Sequence, residues 1–82
     1  DPKSVAVILL VKDTVKIYVF AGKEAIKHKV DAGKVAGELA TIVGGGGGGR
    51  DYFGQGGGTE IHKVEKILDA IPKVVKKQMN RK

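Results

Sequence analysis

Six consecutive glycines, Gly44 to Gly49, run directly into Arg50, and a second cluster, Gly56 to Gly58, follows Gln55. Residues 44–58 hold ten of the thirteen glycines of the chain, so the feature is local and needs a local cause. Glycine has the largest backbone entropy cost of any residue, and a run of six offers no side chain to pack. Such a run is kept where main chain must come very close to something. One candidate is an anion. Exposed amides in a glycine loop form a concave nest, and the Arg50 guanidinium adds a planar, bidentate phosphate donor beside it. That chemistry suits a phosphodiester backbone. Two structural readings compete. A flexible linker is one, although linkers usually include serine and join complete units. The other is a loop that lets two elements cross closely. A P-loop needs G-x-x-x-x-G-K-[ST] between a strand and a following helix. Here Arg50-Asp51 follows the glycines and a helical pattern precedes them, so that reading is rejected.

Little else in the chain offers reaction chemistry. No paired carboxylates, Ser-His-Asp set or Cys-His pair is present for acid–base or nucleophilic catalysis. His28 and His62 are 34 positions apart, with no cysteine and no HxxxH spacing, so no metal site and no cofactor are expected. Tyr18, Phe20, Tyr52 and Phe53 are the aromatics. Aromatic rings can stack on exposed bases, as in other RNA binders. Core packing is the better account of most of them, because rings bury so much area. Tyr52 is the exception to expect, since it adjoins the glycine run.

Charge points the same way as the Gly-Arg run. Fifteen Lys and Arg against nine Asp and Glu give +6. Residues 1–30 contribute +3, residues 31–58 contribute −1 and residues 59–82 contribute +4. A basic excess of this kind concentrates polyanions by long-range attraction and counterion release. Lysine-rich surfaces also simply keep small proteins soluble, so charge alone does not decide.

The elements that must position these residues follow from periodicity. Eighty-two residues allow one domain. A start at Asp1 rather than Met reads as a fragment of something longer. The absence of cysteine fits a reducing compartment, and no apolar run approaches the roughly 20 residues that span a membrane. Val5 to Val11 is a continuous apolar run, which predicts a strand buried on both faces. Lys12-Asp13-Thr14 is a polar break. In the next strand, Val15, Ile17 and Val19 alternate with Lys16, Tyr18 and Phe20. One face is therefore aliphatic, and the other carries a lysine and two rings. So short a break predicts an antiparallel hairpin. Ala21 to Val30 reads as a lysine-bearing connector.

A helix should begin after Asp31 as N-cap and run to about Val43, with Val35, Leu39 and Ile42 on one face and Gly44 as C-cap. Gly33 and Gly37 lie inside it, at roughly 1 kcal/mol each relative to alanine. Close packing of this face on the sheet is the favoured explanation, and approach of a ligand backbone is the sharper one. Arg50 to Phe53 reads as a short edge strand framed by two glycine loops. The last helix should start at Thr59. Ile61, Val64, Leu68, Ile71 and Val75 mark its apolar stripe, widened by Ile67 and Val74. Pro72 predicts a kink or break near Ala70. From Lys73 onward a basic tail, including Arg81 and Lys82, reads as a solvated arm. The fold class is therefore α+β, a small β-β-α-β-α single domain. Its three- to four-stranded sheet should carry two helices, mainly on one face.

Three segments together carry a family resemblance. They are Asp31-Ala32-Gly33-Lys34-Val35-Ala36-Gly37-Glu38-Leu39-Ala40, Gly44 through Arg50, and Gln55-Gly56-Gly57. The sequence resembles the C-terminal domain of alanyl-tRNA synthetases, a domain type that also accompanies DHH-family phosphodiesterases. Arg50, where the phosphodiesterases tend to place histidine, and Gln55-Gly56-Gly57, where they tend to have alanines, favour the synthetase branch. The synthetases usually show Arg-Pro-Asp at this point. Here Asp51 follows Arg50 directly, so the alignment of Asp51, Tyr52 and Phe53 is open.

The resemblance implies a non-catalytic domain that binds the outer corner of tRNA, with tRNA-Ala as the expected partner. It also implies a cytoplasmic setting and homodimerisation through a helical segment preceding residue 1. Carried onto this chain, the tRNA contacts fall on Gly46, Gly47, Gly48, Gly49, Arg50, Gln55, Gly56 and Gly57, joined by Lys34 and Tyr52. The alternatives are an accessory substrate-binding domain of a phosphodiesterase and a dimerisation module that buries a sheet edge near Tyr52.

Overall fold

The computed structural model describes residues 4–80. Strands β1 (Val5–Val11) and β2 (Val15–Ala21) form the expected hairpin, with Val5 opposite Ala21 and Val11 opposite Val15. A five-residue helix, α1 (Lys23–Lys27), occupies part of the connector. Then come α2 (Ala32–Ile42), β3 (Gly46–Gly49) and β4 (Phe53–Gly58). A single 3₁₀ turn, Ile61–Lys63, leads into α3 (Val64–Met79). The four strands make one antiparallel sheet in the order β1-β2-β4-β3. The α+β class and the one-sided arrangement of the helices agree with the sequence reading.

The core follows the two periodicities. Val15, Ile17 and Val19 turn one face of β2 inward, where they meet Val35, Ala36, Leu39 and Ala40 of α2 and Ile67 of α3. Val5, Val7 and Leu9 of β1 pack against this cluster from the side. Burial of a side chain such as Ile17 or Leu39 is worth about 1.5–3 kcal/mol, so these few residues dominate the stability of so small a domain. The start of α2 is fixed as the sequence indicates: Asp31 is extended, and its carboxylate accepts the Lys34 N–H at 3.1 Å. Replacing Asp31 with alanine should cost about 1 kcal/mol, read as a lower midpoint in urea at unchanged slope.

Several expectations are corrected. The Val5–Val11 strand is not buried on both faces. It is a sheet edge covered on one side only, and Ile8 and Leu10 are about half exposed at 47% and 54%. The glycines and the residues between them exchange roles: Gly46–Gly49 is itself the edge strand, and Arg50 to Tyr52 form the turn into β4. The last helix begins later than Thr59: Glu60 is held out of helical geometry at φ −86° and ψ 73°, its N–H donates to the Val43 carbonyl at 3.0 Å and so closes the end of α2, and the 3₁₀ turn intervenes. Pro72 does not break α3. The carbonyl it leaves without a donor belongs to Leu68, four residues back, and both residues face solvent, where water can satisfy that group. The apolar stripe centres on Ile67 rather than Leu68, which is 55% exposed. The basic run stays helical to Met79; Arg81 and Lys82 lie outside the described residues.

Candidate nucleic-acid interface

The glycines of the β3–β4 hairpin divide into two sets according to the side of the sheet they face. The inner set meets α2. A Cβ on Gly33 of α2 would lie 2.7 Å from the Gly49 carbonyl carbon, and one on Gly37 would lie 3.1 Å from the Gly47 oxygen. From the other side, a Cβ on Gly54 would run into the Ala32 carbonyl oxygen and lie 2.8 Å from the Gly33 Cα. Helix and hairpin thus touch backbone to backbone. Gly33 and Gly37 are accounted for by packing on the sheet, the favoured of the two readings.

The outer set is different. A Cβ built on Gly46 or on Gly48 meets nothing within 4 Å. In register, Gly46 lies opposite Gly57, and Gly48 lies opposite Gln55. Farther across, Gly57 lies opposite Lys16, Gln55 opposite Tyr18, and Phe53 opposite Phe20. These residues share the face that the helices leave uncovered. They frame an open depression of 710 Å³ lined by Lys16, Tyr18, Gly46 to Gly49, Arg50, Tyr52, Phe53, Gln55 and Gly56.

The parity of β2 and its register with β4 correct the assignment of Tyr18, Phe20 and Phe53 to the core, while Tyr52 is exposed as expected. Tyr18, Phe20, Tyr52 and Phe53 belong to the open side, with Tyr52 exposed at 56% and the Phe20 and Phe53 rings paired at 5.0 Å. The inner side has no room for rings, because α2 already approaches main chain there.

The turn that carries Arg50 is held firmly. The Arg50 N–H donates to the Phe53 carbonyl at 2.8 Å. The Arg50 and Asp51 carbonyls accept from the first free amides of α2, Gly33 N–H and Ala32 N–H, each at 2.9 Å. The orphan donors of a helix start are thereby satisfied by the turn itself. The Arg50 side chain remains exposed, and no ion pair among the described residues engages Arg50 or Lys16. Both cations are therefore available to an anion.

The glycine run does not form the amide nest expected of a loop. In a strand, N–H groups lie in the plane of the sheet. The open face therefore presents bare peptide planes, and the free strand donors of this hairpin lie along the outer edge of β3, one of the two edge strands of the sheet.

Of the residues singled out from the sequence, Gly46, Gly47, Gly48, Gly49, Arg50, Gln55, Gly56 and Tyr52 line this one depression. Gly57 lies beside it, between Gly46 and Lys16. Lys34 does not belong to it: it sits on α2, in a separate groove with Gly37, Glu38, Lys77 and Gln78. Lys16, Tyr18 and Phe53 join the depression without having been singled out. The alternation of β2 had already put Lys16 and Tyr18 on the non-aliphatic face.

Comparison with known proteins gives a consistent picture. The DHHA1 domain family matches residues 1–77. An alanine–tRNA ligase from Methanococcoides burtonii is 40% identical over 76 residues, covering 93% of this chain and 8% of the ligase. The ligase of Methanosarcina mazei is 42% identical over 62 residues, covering 76% of this chain and 7% of that protein. The chain thus spans less than a tenth of the length of these relatives. The crystal structure of the C-Ala domain from Aquifex aeolicus alanyl-tRNA synthetase superposes with a TM-score of 0.81 at 32% identity, covering 92% of this chain and 68% of that one.

Proposed function

The chain belongs to the DHHA1 domain family, and from that membership we propose that it is the non-catalytic tRNA-binding domain of a cytoplasmic alanyl-tRNA synthetase. Its partner is tRNA, gripped at the outer corner by the open face of β3 and β4. The observation that carries this reading is the emptiness over Gly46 and Gly48. Crowding explains Gly33, Gly37 and Gly54, but nothing inside the domain requires glycine at those two positions. Glycine in a strand interior costs roughly 0.5–1 kcal/mol relative to alanine, more against a β-branched residue. Retaining it where a side chain would fit makes sense if a ligand occupies that space.

Each part of the depression has a separate task. Arg50, on its pinned turn, takes a phosphate through two parallel N–H donors. Lys16 adds a point charge from the opposite wall. Tyr18 and Tyr52 offer rings to any unstacked base. Gln55, exposed in the middle of the face, supplies both a donor and an acceptor for a sugar hydroxyl or base edge. With main chain and shape predominating, RNA geometry is read more than base sequence. The lysines of α3 lie elsewhere and add long-range, salt-sensitive attraction.

Arg50→Ala should weaken tRNA binding about tenfold at moderate salt and lower the slope of log affinity against log salt by about one. Filter binding across a salt series measures both. Unchanged affinity would remove Arg50 from the interface.

A further inference from the structure

Gln78 is the one buried polar side chain among the described residues, 5% exposed in the last turn of α3. It continues the stripe of Ile67, Ile71 and Val74 at spacings of four, three and four, so a polar group sits where the helix pattern calls for an apolar one. Its Oε1 accepts the Asp31 N–H at 2.9 Å, and its Nε2 donates to the Asp31 carbonyl at 3.4 Å. That carbonyl also receives the Val35 N–H at 3.0 Å, the first bond of α2, while the Asp31 carboxylate holds Lys34 N–H. The next two amides, Ala32 and Gly33, are those that bind the Asp51 and Arg50 carbonyls. One side chain at the far end of the sequence is thus joined through Asp31 to the turn that presents Arg50.

We infer that Gln78 is a positioning residue for the interface, a latch by which the end of α3 fixes the start of α2 and, through it, the Arg50 turn. The inference rests on the tRNA-binding reading above. Gln78 does not line the depression and lies in the separate groove with Lys34 and Lys77, so its effect on binding should pass through the Arg50 turn. Leucine has nearly the same volume and cannot bond Asp31. Without the latch, the half-buried Asp31 N–H loses its acceptor, and the turn is free to move while the hairpin and core stay packed.

The test combines hydrogen exchange with a double-mutant cycle on the whole chain, using an unmodified tRNA transcript as probe. In Gln78→Leu, exchange at the Ala32 and Gly33 amides should quicken roughly tenfold relative to Val19, which reports the core. Binding of tRNA should weaken roughly tenfold in the parent background and less than about twofold in the Arg50→Ala background, because the turn no longer carries the group that matters. Gln78→Glu keeps an acceptor for the Asp31 N–H and loses the donor to its carbonyl. It should fall between the two, and it serves if the leucine variant folds poorly. The latch is overturned if Ala32 and Gly33 exchange no faster relative to Val19. It is also overturned if the loss in affinity is the same with and without Arg50. Should Arg50→Ala itself bind tRNA like the parent, the binding reading fails, an outcome distinct from failure of the latch alone.

Discussion

Gly48→Val is expected to raise the melting temperature by several degrees and to weaken tRNA binding about thirtyfold. The stability gain follows from strand propensity. The site is part of an antiparallel sheet, a Cβ there meets nothing within 4 Å, and a β-branched residue favours a pleated surface by up to about 1 kcal/mol over glycine. For a domain of this size, that corresponds to roughly 4–8 °C. The loss of binding has the opposite origin. Three carbon atoms would stand in the space proposed for RNA, forcing a close contact to retreat at about 2 kcal/mol. A substitution that improves the fold and damages binding separates a ligand-bound surface from a structural one. Calorimetry of the free chain together with a tRNA titration reads both halves. Parent-like affinity in Gly48→Val would mean that the glycine serves no ligand.

The inner glycines should behave in the reverse way. Gly54→Ala places a methyl group against the Ala32 carbonyl oxygen and 2.8 Å from the Gly33 Cα, both of them backbone. Neither side can turn away, so α2 and β4 must separate. Overpacking of this severity costs about 3 kcal/mol. A chain of this length has about 4–12 kcal/mol in total at the usual stability per residue. The variant should melt more than about 10 °C below the parent in circular dichroism, by the same entropy scaling. A shift of only a degree or two would show that helix and hairpin are not in backbone contact. Together the two variants divide one glycine-rich hairpin into a face kept bare for the fold and a face kept bare for its partner.

Much of this was legible in the chain, and the reasons are specific. Alternation in Val15 to Phe20 placed Lys16 and Tyr18 on the face opposite the aliphatic residues, and they line the depression. Asp31 and Gly44 bounded α2 through their own chemistry, a carboxylate acceptor and a residue at φ +75°. What could not be read was the direction of the glycine run. Propensity disfavours polyglycine as a strand, yet β4 and α2 impose that conformation from both sides, so tertiary contact overrides it. Area alone points Tyr18, Phe20 and Phe53 to the core, and for Tyr18 and Phe20 the alternation of β2 already contradicts it. Gln78 was lost in a run of lysines, although its place on the apolar stripe of α3 marked it. Lys34 follows Gly33 in a segment shared with the family, but helix geometry turns it toward α3 and away from the open face.

The most direct test is a titration of the isotopically labelled chain with tRNA, followed by amide shifts in NMR. Signals from Tyr18, Gly46, Gly48, Arg50, Gln55 and Gly57 should move first and saturate together, with the α3 lysines responding weakly and losing their response as salt is raised. Shifts confined to Lys73, Lys76 and Lys77, with the glycine strand undisturbed at saturation, would contradict it and leave only a generic electrostatic contact.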